Sequence, residues 1–152
     1  MKKFNITIPI NPVPWERPKT RVVNGWVKHY NSTKTANYEK AIGEYWRQAT
    51  NGFMYDREQT LNVNLVFGLP IPKSTSKKKT ELMANGTIRH TKRPDVDNLA
   101  KSVIDGLNGV AWVEDSQVVR VSIYKEYAKE PYVYIYIHDD AEQGARWKNE
   151  VF

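Results

Sequence analysis

Apolar side chains at Phe4, Ile6, Ile8 and Ile10 alternate with Asn5, Thr7 and Pro9, which predicts a first strand with one buried face. Pro12, Pro14 and Pro18 then break the pattern, since residues without an N–H cannot serve a central ladder. Arg21-Val22-Val23 and Trp26-Val27-Lys28 flank Asn24-Gly25, a dipeptide that predicts a two-residue hairpin turn because both central positions need positive φ. Beyond Ser32 and Thr33, either of which can cap a helix, Tyr38, Ala41, Ile42, Tyr45, Trp46 and Ala49 recur at helical spacing and predict a helix to about Ala49. Alternation returns over Leu61–Phe67, a second long strand. Ser74 or Ser76 can then cap a short helix that runs to about Ala84 and ends at Asn85-Gly86. Residues 86–94 read as a basic loop in which Pro94 holds Arg93 extended. A helix from Asp95 to about Asn108 follows, with Leu99, Ala100, Val103, Ile104 and Leu107 on its apolar face. Gln117–Tyr124 and Tyr132–Ile137 are the last two strands, with Lys129-Glu130-Pro131 read as a hairpin connection between them.

Strands and helices are mixed without regular alternation, so the expected fold class is α+β: a mixed β-sheet packed against two or three helices. A chain of 152 residues is expected to build one core. With no internal repeat or linker in view, residues 1–139 read as a single domain and 140–152 as an acidic C-terminal tail. The chain has no cysteine, which excludes disulfides and thiolate metal sites and suits a reducing compartment. The first ten residues are too short and too broken an apolar run for a signal peptide or membrane span. The expectation is a cytoplasmic protein without a membrane partner.

The net charge of +6 is unevenly spread. Residues 1–60 carry ten Lys/Arg against five Asp/Glu, residues 61–101 eight against three, and residues 102–152 five against nine. A basic body favours a polyanion, because each neutralised phosphate releases counterions; a merely lysine-rich surface is the plainer alternative.

Within this field one segment interleaves acids and bases: Lys92-Arg93-Pro94-Asp95-Val96-Asp97-Asn98-Leu99-Ala100-Lys101, followed by Glu114-Asp115. Mg²⁺ prefers a few carboxylates, keeps several waters and takes further ligands from a substrate phosphate. Asp95, Asp97 and Asp115 would suffice if the fold returns Asp115 to the helix start. Asp95 and Asp97 are equally an ordinary N-cap and first-turn acid, and Asn98 can support a ligand or cap the turn. Lys101 can steady charge on a phosphate, or pair with Asp97 or Asp105. Arg17, Lys19, Arg21, Lys77, Arg89, Lys92 and Arg93 are candidate phosphate contacts, and Trp15 and Trp26 candidates for stacking on unpaired bases. His90 falls near the acids, but no second His stands at ligand spacing, so zinc is not expected. Phosphate-binding glycine loops, a nucleophile elbow, a Cys–His pair and a dinucleotide fingerprint are absent from the sequence.

Arg93-Pro-Asp95-Val-Asp97-Asn98-Leu-Ala-Lys101, then Asp105-Gly-Leu-Asn108, then Trp112-Val-Glu-Asp115-Ser-Gln117-Val-Val closely resembles the core of the RusA-like Holliday junction resolvases. Pro14-Trp-Glu-Arg17-Pro-Lys-Thr-Arg21 and the later Pro-x-Pro-Lys-Ser-x-Ser-Lys stretch look like the phage and prophage branch. The likeness runs to about Asp139. It implies a RusA-like nuclease domain over residues 1–139: a Mg²⁺-dependent endodeoxyribonuclease, with Mn²⁺ as a substitute ion, acting as a homodimer on four-way junction DNA in recombination and repair. By the same likeness Asp95, Asp97 and Asp115 fall on the metal-binding acids and Lys101 on the catalytic lysine. Glu114 replaces a neighbouring acid that is often Asp. Pro94 stands where some members have a basic residue, with Arg93 displaced by one. The lysine-rich segment 73–80 and the tail depart from the shortest members. The alternatives are a metal-dependent nuclease for other branched nucleic acid, such as flaps, forks or RNA, and a DNA-binding protein without catalysis.

Overall fold

The computed structural model describes residues 2–30 and 32–140; the acidic tail, apart from Asp140, lies outside the described residues. The elements run β1 (Lys3–Ile8), β2 (Lys19–Val23), β3 (Trp26–Tyr30), α1 (Thr33–Thr50), β4 (Leu61–Pro70), α2 (Lys77–Ala84), α3 (Val96–Leu107), a 3₁₀ turn (Asp115–Gln117), β5 (Val118–Ala128) and β6 (Tyr132–Asp139). The main sheet has the order β1-β6-β4-β5, and β2 and β3 form a separate two-stranded ribbon. This is the expected α+β class.

β6 pairs antiparallel with both β1 and β4, while β4 and β5 are parallel. A parallel pair needs a long crossover, and α2 and α3 lie within it. The expected hairpin through Lys129-Glu130-Pro131 is therefore not formed: β4 lies between β5 and β6. Alternation predicts a strand but not its neighbour, and β4, with apolar side chains at every second position, takes the central place.

Leu61, Val63, Leu65, Phe67 and Leu69 of β4 join Val133, Ile135 and Ile137 of β6, Ile42 and Trp46 of α1, and Leu99, Val103 and Leu107 of α3 in one apolar cluster. Each such side chain contributes roughly 1.5–3 kcal/mol on full burial. The buried stripe of α1 is Thr35, Tyr38, Ile42, Gly43, Trp46 and Thr50; Tyr45 and Ala49, expected on that stripe, are exposed. Gly43 lies on the face of α1 that meets α3, where the two helices approach closely. A Cβ on Gly106 of α3 would lie 2.8 Å from the Glu39 carbonyl oxygen, and one on Gly43 would lie 3.2 Å from that of Gly106.

The proline-rich segment after β1 straps the start of α3. Val13 is buried, its carbonyl accepts from Ser102 Oγ at 2.5 Å, and Trp15 N–H donates to the Asn98 carbonyl at 2.8 Å. Prolines suit a strap that offers few donors. With α1 packed beside α3 and the strap tied to it, the start of α3 is held in place. Among the described residues no helix is long and apolar enough to cross a membrane.

Candidate metal and nucleic-acid site

Asp95 occupies the N-cap of α3 in an extended conformation, but its carboxylate makes no capping hydrogen bond. Capping is the ordinary use of an aspartate there, so this one is left available. Asp97 follows in the first turn, and both acids are exposed. Lys125 Nζ, reaching over from β5, donates to the carbonyls of Lys92 (2.6 Å) and Pro94 (3.0 Å) and pins the segment entering the helix.

Basic groups rim this end. Arg93 lines a cleft with Pro14, Trp15, Asp95 and Asn98. Lys92 and Arg93 share a second cleft with Lys34, His90 and Tyr127. The His90 ring packs 4.5 Å from that of Tyr127; burial first, then the Lys125 charge, with Lys92 adding, hold it below its ordinary pKa. Its neutral form is favoured accordingly. Lys92 also borders a hollow beside α2 with Ser76 and Lys79. Lys77, which the sequence singles out, is exposed in the first turn of α2 and does not line that hollow. Arg89 lies against β5: Nη1 donates to Tyr124 Oη at 2.5 Å. Arg17 precedes the ribbon, while Lys19 and Arg21 lie on it, all three exposed.

Lys101 lies one turn beyond Asp97. Its ammonium pairs with Asp105 at 3.2 Å and sits 5.2 Å from the centre of the Trp15 ring. Asp105 and Lys101 also face Glu39 of α1, whose Oε1 is buried without a hydrogen-bond partner. Burial first, then Asp105, push the Glu39 carboxyl above its ordinary value of 4.5, against the pull of Lys101. The native state thus holds the Glu39 proton more readily than the unfolded chain, and its contribution to stability falls as pH rises above about 4.5. Glu39→Gln is expected to raise the urea midpoint at pH 7 relative to pH 4; equal effects at both pH values would contradict this.

Asp115 opens the 3₁₀ turn, and its Oδ1 accepts from the buried Trp112 Nε1 at 2.8 Å. Gln117 fixes the loop from the other side. Its Oε1 accepts from the N–H groups of Val113 (2.9 Å) and Glu114 (3.0 Å), and its Nε2 donates to the carbonyls of Asp56 (2.7 Å) and Gln59 (3.1 Å). Glu114 pairs with Arg57 at 3.5 Å, both exposed.

The closure that would unite the three acids is not made within one chain. Pro94 lines a cleft with Leu69 and Pro70, at the end of β4, whereas Gln117 bonds Gln59 beside its beginning. β4 has ten residues, so at ~3.3 Å per residue about 30 Å of strand separates the two ends. Among the described residues no three His, Asp or Glu side chains are grouped to hold a metal ion. β5 runs back along α3, so its later residue Lys125 reaches the helix start while Asp115, before the strand, stays at the helix end. As a donor set, two free carboxylates suit a hard cation that keeps waters, and the third must come from elsewhere.

Sequence reasoning did not find Lys34 and Lys125 as parts of the rim. Nothing local marks them, since the fold alone brings them there. Gln117 had a signal, its place directly after Glu114-Asp115-Ser116.

Comparison with known proteins places the chain in a family. A sequence model of the family described as "Endodeoxyribonuclease RusA" matches residues 9–138. The chain is also similar to "Uncharacterized protein YqaN" of Bacillus subtilis (strain 168), 31% identical over 139 residues that cover 91% of this chain and 98% of the relative.

Proposed function

The chain belongs to the RusA family of endodeoxyribonucleases, metal-dependent Holliday junction resolvases that act on branched DNA, and we propose that it cuts four-way junctions by paired symmetric nicks as a Mg²⁺-dependent homodimer. Asp95 and Asp97 of one protomer hold the ion, and Asp115 of a second protomer completes the donor set. The observation that carries this reading is the pair of exposed carboxylates at the start of α3, Asp95 making no capping bond, within a basic rim and at the opposite end of the helix, about 18 Å long, from their own Asp115. Two copies related by a two-fold axis turn that separation into two equivalent sites, each taking its third acid from the other copy. Two sites also match the need to cut two opposed strands.

A divalent cation there supplies charge to the scissile phosphoryl oxygen and acidifies water, and Mn²⁺ can replace Mg²⁺. The protein groups do the rest. Trp112 and Gln117 hold the Asp115 turn rigid. Lys92, Arg93, Arg89 and Lys77 neutralise backbone phosphates, with Arg17, Lys19 and Arg21 on the ribbon side. Lys101, held over Trp15, places a positive charge one turn from Asp97, where a phosphate gains charge as it is attacked. Residues 1–139 act as one nuclease domain, in the cytoplasm with the DNA.

Lys101→Ala should slow junction cleavage by roughly 10²–10³-fold, the scale for losing one pre-placed electrostatic group, with a much smaller change in junction affinity. Weakened binding at unchanged cleavage of bound junction would make Lys101 a docking residue.

The reading is tested with a synthetic four-way junction with and without Mg²⁺, mapping nicks on every strand beside linear duplex, flap, fork and RNA substrates. Symmetric nicks on opposed junction strands, only with the ion, are expected. Equal cutting of linear duplex, or no cutting by folded protein with any divalent ion, would overturn it.

A further inference from the structure

The β2–β3 ribbon stands outside the main sheet and outside the apolar core. From Lys19 to Tyr30 every residue except Val23 is exposed, and Trp26 is 76% exposed. A bare two-stranded ribbon is marginal in water, and a tryptophan so placed suggests a surface awaiting a partner.

The register shows what the ribbon offers. Lys19 lies opposite Tyr30, Arg21 opposite Lys28, and Val23 opposite Trp26. Cross-strand partners and every second residue share a face. One face therefore carries Lys19, Arg21, Lys28, Tyr30 and, at the tip, Trp26. Like charges directly opposed, as Arg21 and Lys28 are, cost stability in the free ribbon; a phosphate between them reverses the sign. No Asp or Glu occurs from Arg17 to Tyr30. The turn at Asn24 (φ 51°) and Gly25 (φ 79°) puts Trp26 immediately beyond the tip. Its ring is too large to read bases in an intact stack but can lie on a base that has lost a neighbour. DNA with unstacked bases supplies both ligands this face asks for, phosphate and an open base face.

We propose that the β2–β3 ribbon is a branch-point wedge: Arg21, Lys28 and Lys19 grip backbone phosphates, and Trp26 stacks on a base opened at the exchange point. The ribbon then selects branched over linear DNA, independently of the acids that cut. This rests on the reading that the protein acts on junctions.

The test is a four-way junction carrying 2-aminopurine beside the exchange point, bound by the full chain with Ca²⁺ in place of Mg²⁺. Wild type should change the fluorescence. Trp26→Ala should remove most of that change and weaken junction binding roughly 5- to 150-fold, the scale of one lost base stack, leaving linear-duplex affinity and Mn²⁺ binding unchanged. Trp26→Phe should restore the signal, and Arg21→Gln with Lys28→Gln should lower the slope of log affinity against log salt by about two for each ribbon engaged, so about four for the dimer. Trp26→Ala with full fluorescence change and junction preference overturns the wedge alone. So does a Trp26→Ala dimer that dissociates in sedimentation where wild type does not, because the ribbon then docks on a second copy. Wild-type protein that prefers linear duplex overturns both the wedge and the junction reading.

Discussion

A heterodimer of one Asp95→Asn chain and one Asp115→Asn chain is expected to nick a four-way junction, although each variant as a homodimer is inert. The expectation follows from where the fold puts the acids. Pro94, which leads into Asp95 and Asp97, lies at the end of β4 beside Leu69, whereas Asp115 is fixed by Trp112 and Gln117, the latter bonded to Gln59 just before its beginning. If each site draws two acids from one copy and the third from the other, the heterodimer collects both defects in one site and leaves the other site whole. Each homodimer should lose roughly 10³-fold or more in cleavage rate, because the cation contributes several kcal/mol to the barrier. The heterodimer should recover nicking of one strand but not paired incision. A site built within each chain gives the opposite result, since every site then carries one defect and the heterodimer is as inert as its parents. Junction binding by all three proteins keeps loss of docking from being mistaken for loss of chemistry.

Substitution of Trp112 is expected to separate stability from catalysis. The side chain is fully buried in the core, and its indole N–H is the donor that orients Asp115. Trp112→Ala removes both and leaves a large cavity. The cost is about 3–5 kcal/mol, or roughly 6–20 °C in Tm for a chain of this size. Trp112→Phe keeps most of the apolar contact and deletes only the donor and part of the volume, at about 1–3 kcal/mol. The phenylalanine variant should remain folded at 25 °C, bind junctions normally and cut them at least tenfold more slowly, because Asp115 is no longer held in one rotamer. Rescue of that rate by raised Mn²⁺ would identify the loss as one of ligand positioning. Unchanged cleavage by Trp112→Phe would show that the Trp112–Asp115 hydrogen bond serves the core alone.

The local elements were legible because their causes are local. Alternation at Leu61–Phe67 and Tyr132–Ile137 marks two strands, and Ser32 and Ser76 cap α1 and α2, accepting from the N–H groups of Thr35 and Lys79. Asn24-Gly25 makes the tight turn at positive φ. What failed depends on partners far along the chain. The Lys129–Pro131 connection looks like a hairpin until β4 is seen to occupy the space between β5 and β6. Tyr45 and Ala49 fit a helical period but not the stripe that Gly43 and Gly106 select by close approach. The acidic motif is legible as residue types in order, and its neighbourhood at the start of α3 follows from the N-cap position. Whether Asp115 returns to that helix end depends on the direction of β5 relative to α3, which no periodicity records.

Whether two protomers share each metal site is read most directly from Mn²⁺ binding, followed by calorimetry or electron paramagnetic resonance, with heterodimers purified through two different affinity tags. Tight binding by wild type is expected, with none by homodimeric Asp95→Asn or Asp115→Asn and half the wild-type capacity in the heterodimer of the two. A heterodimer that takes up no more Mn²⁺ than its parents, while wild type binds it tightly, would contradict a site completed by the second protomer.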